Sequence, residues 1–552
     1  MKLVKSLLLG SAAGLTVVAG AQAADLPVKK AAPVEYVRVC SAYGAGFFFI
    51  PGTDTCLRVS GRARFEATYS QGYSRSGANG DLMGYRGLGR LNLDARTQTA
   101  YGTLRAFVRF ELASRTGAYL KSGTQERIAN AFTATGIDTF GRAQQYVNVD
   151  KAFIQFAGLT AGRAASFYDF YAHDFEIIGT SLGSDVASTN LLAYTATFGE
   201  GFSATLSVED PIFRKNPLFG TATAGNAASQ FQVFGAAANN FTPVVAYNAA
   251  GVPIGEAFYN VDQRSRMPDF VGVLRYDAGW GSAQLSAAVH ELTVGNAATV
   301  LSFGGVPIVN GTTATSVAVA PRVQNEYGWA VQGGVKFNLP FIAPGDALYL
   351  QGSYGEGAQI YTGYSQYIGT YTQSANNTQG GNFSTFFTDA AVNPLTGRME
   401  LSTSWTVVGS YLHYWTPELR SAFIGSYGEM SFGKTSRNLL GGLNFNGLGN
   451  PVNSPGAFLY SNALRDTSQV VAGASLIWSP VKDLDIGVEG LYNRVDIRGG
   501  GRVVDVNKAA VGPNTVAGLN AAGLPINSAG AVLPTTNYTD TFQVRMRVQR
   551  DF

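Results

Sequence analysis

Charge is scarce in this chain, and so are histidine and cysteine. Charged residues make up 14% of the 552 residues, where a typical globular protein has roughly 25%. The formal net charge is +3, and Lys2 and Lys5, which contribute to it, lie in a segment expected to be removed. Nothing in that balance supports a nucleic-acid partner. The three histidines, His173, His290 and His413, are scattered singletons. Phosphate-binding loops, EF-hands and zinc spacings are missing too, so no cofactor or metal is expected. The only catalytic match is Gly179-Thr180-Ser181-Leu182-Gly183, a G-x-S-x-G pattern. It needs a strand before it and a helix after it, and the sequence offers neither, so no enzyme activity is expected. No linker or fixed-length repeat divides the chain.

Long apolar runs are also lacking. Met1–Ala23 has basic Lys2 and Lys5, an apolar run from Leu7 to about Val18, and Ala21-Gln22-Ala23. That is the build of a secretory signal peptide, residues 1–23. Its apolar part is short of the ~20 residues a spanning helix needs, and no other stretch comes nearer. A helical membrane protein is therefore excluded, but a barrel is not, because strands hide their hydrophobicity in alternation. In an exported chain the lone pair Cys40 and Cys56 reads as a disulfide. Residues 24–56 are expected to be a periplasmic leader and a hairpin clipped by that bond.

What the chain has is 67 Gly, 27 Tyr and 34 Phe, a composition suited to many strands with tight turns. In the last stretch, Phe542, Val544, Met546 and Val548 alternate with Gln543, Arg545, Arg547 and Gln549. Near the other end, Leu57, Val59, Ala63, Phe65 and Tyr69 alternate with Arg58, Ser60, Arg62, Arg64, Glu66 and Thr68. Period two puts one kind of residue on each face. A first and a last strand of one type suggest a sheet closed on itself, apolar outside and polar inside. Sixteen such strands can be placed between 57 and 552, among them 85–97, 101–114, 145–157, 160–167, 326–338, 401–415 and 538–552. Short turns alternate with long Gly/Asn/Ser/Thr/Ala-rich segments near 116–143, 211–267, 293–325, 358–400, 432–467 and 499–537. Those segments show no second core and are expected to be loops that partly pack on one another. The fold expected is all-β: a 16-stranded antiparallel transmembrane β-barrel with short periplasmic turns and long extracellular loops. Trp280, Trp415 and Trp478 sit beside short turns, as an interfacial aromatic girdle would.

Several stretches carry a resemblance to a known family. They are Val39-Cys40-Ser41-Ala42-Tyr43-Gly44-Ala45-Gly46, Ile50-Pro51-Gly52-Thr53-Asp54-Thr55-Cys56-Leu57-Arg58-Val59-Ser60-Gly61, and Ala157-Gly158-Leu159-Thr160-Ala161-Gly162-Arg163. Together with the terminal Phe552, which looks like an outer-membrane insertion signal, they resemble the general porins of alphaproteobacterial outer membranes. The resemblance is strong over residues 1–200 and in the last strand, and weak across the middle loops. It implies a homotrimer in the outer membrane of a Gram-negative bacterium, in contact with lipid and lipopolysaccharide. It also implies passive diffusion of small hydrophilic solutes, and a segment at about 168–188 folded into the lumen as a constriction.

Alternation then assigns charges to the lumen. Arg62, Arg64, Arg90, Arg96, Arg105, Arg109 and Arg163, with Arg545 and Arg547 from the last strand, are expected to form one basic wall. Asp169, Asp174, Glu176 and Asp185 would lie opposite on the constriction segment, giving a transverse field across a narrow aqueous gap. Two other functions compete. A gated, ligand-specific transporter usually needs a plug ahead of the barrel, and few mature residues precede Leu57. A surface adhesin would use the long loops.

Overall fold

The computed structural model describes residues 38–552 apart from 71–81, 118–134, 137–142, 180, 186–187, 217, 220, 223–239, 248–249, 262, 296–297, 301, 304–305, 308–320, 365–381, 384–386, 443–458, 462–463, 506–507 and 509–515. The expected signal peptide, residues 1–23, and most of the expected leader lie outside the described residues.

Sixteen antiparallel strands close into a barrel. In chain order they are β1 Cys56–Ser70, β2 Met83–Thr99, β3 Gly102–Gly117, β4 Ala143–Phe156, β5 Leu159–Ala164, β6 Thr189–Phe198, β7 Phe202–Glu209 and β8 Asp269–Ala278. The second half is β9 Gly281–Leu292, β10 Glu326–Asn338, β11 Ala347–Glu356, β12 Thr403–Thr416, β13 Leu419–Ser431, β14 Thr467–Val481, β15 Leu484–Ile497 and β16 Tyr538–Asp551. Each strand pairs with the next, and β16 pairs with β1 through Arg62↔Asp551 to Ser70↔Gln543. Closure removes the open edges that an exposed sheet would otherwise carry. Phe552 completes the seam, exchanging backbone hydrogen bonds of 2.8 and 3.0 Å with Gly61. Glycine is required there, because a Cβ on residue 61 would come within 2.4 Å of the Phe552 ring.

The outward faces are apolar and exposed, as Phe65, Leu112, Leu206, Leu285, Val407 and Met546 illustrate. Beside the short turns, rings run in contact from Phe202 to Tyr276 (4.4 Å) and from Trp280 to Phe337 (5.6 Å). Trp280, Trp415 and Trp478 are all exposed at this end, where amphipathic rings suit the membrane interface. Cys40 and Cys56 are disulfide-bonded, and Phe47–Phe49 pairs with Cys56–Arg58 to make the clipped hairpin.

The long loops pack on one another, but against the expectation they also build a second core. Thr221–Ala222, Asn240–Tyr247, Pro253–Asn260 and Ala298–Val300 form a separate four-stranded sheet. Leu218, Val244, Val261, Leu292, Ala390 and Met399 bury one another beside it. This second core draws a few residues from each of several loops. No single loop carries enough apolar periodicity to announce it.

Candidate functional site

After β5 the chain turns into the barrel. The segment from Ala165 to Ser188 lies against inward side chains of the wall, and its backbone is held there by amides, a hydroxyl, the carboxylates Glu209 and Glu489, and arginines of β16. Gln284 on β9 donates to the carbonyls of Phe167 and Tyr168, and Gln332 on β10 donates to Tyr168 O at 3.0 Å. Gln351 on β11 accepts from Tyr171 N at 2.9 Å, and Ser426 on β13 accepts from Leu182 N at 3.1 Å. Glu489 on β15 is fully buried and accepts from Ile177 N and Ile178 N at 2.8 and 2.7 Å. Arg547 on β16 donates to Ile177 O at 2.6 Å. Gly334 on β10 leaves room for the ring of Phe170, which a Cβ at that position would approach to 2.3 Å.

Between this segment and the opposite wall lies a cavity of ≈ 600 Å³. Asp169, Asp174, Glu176 and Asp185 line it from the segment. Arg62, Arg64, Arg90, Arg109 and Arg547 line it from β1–β3 and β16. Nine of the residues singled out from the sequence thus meet in one space. Arg86, Lys151 and Arg420 join them. The sequence reading passed over these three, though each stands at an inward position of its strand.

Four of the expected wall arginines sit elsewhere. Arg96 and Arg105 face inward below the cavity and share Asp94, at 2.8 and 3.0 Å. Arg96 also stacks over Phe47 of the clipped hairpin, 4.9 Å from its centroid. Arg545 is fully buried behind the segment, where it donates to Thr68 and to Ile177 O. Arg163 is a correction, because its register partners are Ala152 and Asn190, which face outward with Ile154 and Leu192. In the stretch Thr160-Ala161-Gly162-Arg163 only small residues flank the arginine, so no apolar side chain fixes the parity. A register shift between Arg109 and Phe110, where β3 meets β4, upsets counting from the neighbouring strand.

The basic wall is interleaved with acids. The arginines are matched by carboxylates on neighbouring strands: Arg62 by Asp551 at 2.6 Å, Arg90 by Glu111 at 2.8 Å, and Arg109 by Asp150 at 3.3 Å. Glu66 holds Arg86 and Arg547, both at 2.7 Å, with Arg64 at 3.8 Å. Arg420 is paired to Asp485 at 2.8 Å.

The segment's acids are tied down as well. Asp169 binds the buried Arg214 at 2.7 Å. Glu176 is buried and accepts from the hydroxyls of Tyr171 and Ser181. His173 places Nδ1 3.2 Å from Asp185 and Nε2 3.0 Å from Ser181 O. Burial opposes its charge, but Glu176 and Asp185 outweigh that and raise its pKa to about 9. Asp174 is exposed, and its one hydrogen bond is to the Tyr349 hydroxyl, at 2.8 Å. Among the described residues, Lys151 and Asp174 are the cavity-lining charges with no ion-pair partner. The G-x-S-x-G stretch belongs to this irregular segment, with Thr180 outside the described residues, and it does not form a strand–turn–helix elbow.

A closed antiparallel barrel, greasy outside and charged inside, belongs to the class of outer-membrane channel proteins. Residues 25–517 match the family described as the Porin subfamily, and this chain belongs to that family. It is 33% identical over 350 residues to porin Omp2b of Brucella suis, covering 60% of this chain and 80% of that protein. Against Omp2b of Brucella abortus strain 2308 the identity is 32% over 352 residues, with the same coverage. Among solved structures, the outer-membrane channel DcaP of Acinetobacter baumannii superposes with a TM-score of 0.47 at 13% identity, covering 91% of this chain and 99% of that one. The protein is a porin of the Gram-negative outer membrane, a water-filled channel for small hydrophilic solutes and ions.

Proposed function

We propose that the protein works as a homotrimer of permanently open pores, each narrowed by residues 168–188. The long loops would face the lipopolysaccharide side and Phe552 would serve as the insertion signal. The supporting observation is the cavity between the segment and the arginine-bearing strands, lined by charges of both signs. Paired charges largely cancel at distances beyond their own separation. On the wall the single Glu66 faces Arg64, Arg86 and Arg547, so positive charge stays in excess there and the unpaired Lys151 adds to it, while Asp174 is unpaired on the segment; the transverse field runs between them. Ion selectivity is then weak, because the two oppose each other.

Planar bilayers containing the full mature chain test this. The expected record is spontaneous conductance in steps grouped by three, without added ligand. Silent membranes, or steps that need a ligand, would favour a gated transporter.

A further inference from the structure

Arg214 does not line the cavity, yet it grips the segment that forms one side of it. Just past the end of β7, a 3-10 turn runs from Pro211 to Arg214. Asp210 caps the turn by accepting from Ile212 N at 3.0 Å, and Pro211 presets its first dihedral. The Arg214 side chain is fully buried. One guanidinium nitrogen donates to Ser184 Oγ and another to Asp169 Oδ1, both at 2.7 Å. Ser184 Oγ donates to the same Asp169 oxygen, also at 2.7 Å. The guanidinium carbon lies 4.5 Å from the Tyr361 ring centroid and 5.6 Å from that of Tyr168. A guanidinium out of water needs such a set of partners, because its desolvation is otherwise uncompensated.

Asp169 and Ser184 stand at the two ends of the stretch that carries Asp174 and Glu176. Joined through Arg214, they close its neck, and a loop whose ends are held together has fewer conformations than one with free ends. Glu209, the last residue of β7, adds to this base by accepting from Ser166 Oγ at 2.7 Å and Phe167 N at 3.2 Å. The chain then runs on into the loop core. Lys215 donates to Arg264 O at 3.3 Å. Asn216 N donates to one oxygen of Asp389 at 2.7 Å, and Gln359 N donates to the other at 3.0 Å. Leu218 belongs to the loop core, and Phe219 N donates to Ala390 O at 3.1 Å. A run of buried residues, Arg214, Lys215, Asn216, Leu218 and Phe219, therefore joins the segment's base to that core.

We propose that Arg214 is the positioning residue of the constriction: it closes the neck of the infolded segment and ties it to the loop core, so that the size limit of the pore depends on that core. A rim on a firm base holds one width, whereas a rim on a loosened base samples wider openings. The proposal rests on the reading of residues 168–188 as the narrowest point and adds what fixes their position.

Swelling of proteoliposomes in sugars of increasing size reads the size limit of the full mature chain. It is measured for Arg214→Gln, for Asn216→Ala and, as a reference for the constriction itself, for Gly334→Leu, with the unfolding temperature beside it. The expected result is that the entry rate of a trisaccharide relative to a monosaccharide rises several-fold in Arg214→Gln, and less in Asn216→Ala. Neither residue lines the cavity, so a change in sieving reports a displaced rim rather than a lost pore charge. If Gly334→Leu raises the ratio and Arg214→Gln does not, the segment is the constriction but Arg214 does not position it, whatever happens to the unfolding temperature. If Arg214→Gln raises the ratio and Asn216→Ala does not, the tie to the loop core is overturned. If none of the three moves the ratio, the constriction reading falls as well. If Arg214→Gln fails to assemble, Ser184→Ala, which loosens the same neck and keeps the ion pair, replaces it under the same criteria.

Discussion

The two halves of the lumen are built differently. From β16 through β1 to β4 the inward positions are dominated by charge: Arg547, Arg62, Arg64, Glu66, Arg90, Glu111, Arg109 and Lys151. From β9 to β13 the positions beneath the segment are mostly amides and hydroxyls, among them Gln284, Gln332, Gln351, Ser353 and Ser426, with the charges Lys336 and Arg420 nearer the short turns. The first half faces the cavity, and the second is covered by the infolded segment. The difference follows from solvation. A guanidinium can face a water-filled passage at little cost, whereas a covered wall must satisfy backbone groups of whatever lies on it. Neutral amides and hydroxyls do that without stranding a charge. The carboxylates that hold the segment, Glu489 on β15 and Glu209 on β7, flank this half, and Glu489 is satisfied by two backbone N–H groups.

The largest effect should come from breaking the covered side. Glu489→Ala removes two charge-assisted hydrogen bonds, together worth roughly 3 kcal/mol. Single-channel records of this variant should show higher, fluctuating conductance. Gly334→Leu should act the same way by displacing Phe170. If both variants conduct like the parent, the segment is not held by this wall.

Next come the two uncompensated charges. A unit charge about 4 Å from a passing ion is worth ~1 kcal/mol in water, about a fivefold change in local ion occupancy. Reversal potentials under a salt gradient should move toward cations for Lys151→Gln and toward anions for Asp174→Asn. Both shifts should shrink as ionic strength rises. The paired double variant Arg62→Gln/Asp551→Asn should move the potential far less, since it removes a charge and its compensation together. Equal shifts from all three would mean that pairing does not decide selectivity.

A smaller effect concerns pH. His173 is charged more readily in the folded segment than in a free chain, with its pKa raised to about 9. The stability this adds is complete below the ordinary histidine value and is lost as pH rises through about 9. Current noise should therefore increase above that pH in the parent and be insensitive to it in His173→Gln. The smallest effect on conduction is expected from Cys40→Ser/Cys56→Ser. It removes a cross-link worth about 3 kcal/mol in the chain-entropy model. Thermal unfolding should occur at lower temperature while conductance stays the same.

Much of this contrast was legible in the sequence. Alternation located all sixteen strands, because an apolar face in lipid and a polar face in water leave a strict period of two. It also concentrated the arginines in the first and last strands, which closure makes neighbours. Three things were harder to read. Gln284, Gln332 and Ser426 look like ordinary polar lumen residues until something is seen to lie on them. Arg163 sits among small residues that leave its parity open. The loop core is assembled from fragments far apart in sequence, so no local pattern reveals it.

The central claim is that the charged half of the lumen is the conducting wall and the amide half is a covered one. It is tested most directly by single cysteines at Lys151 and Gln332, exposed to a charged methanethiosulfonate reagent during single-channel recording. Reagent should reduce the current through Lys151→Cys and leave Gln332→Cys unchanged, because residue 332 is buried beneath the carbonyl of Tyr168. Block at 332 with none at 151 would contradict the account.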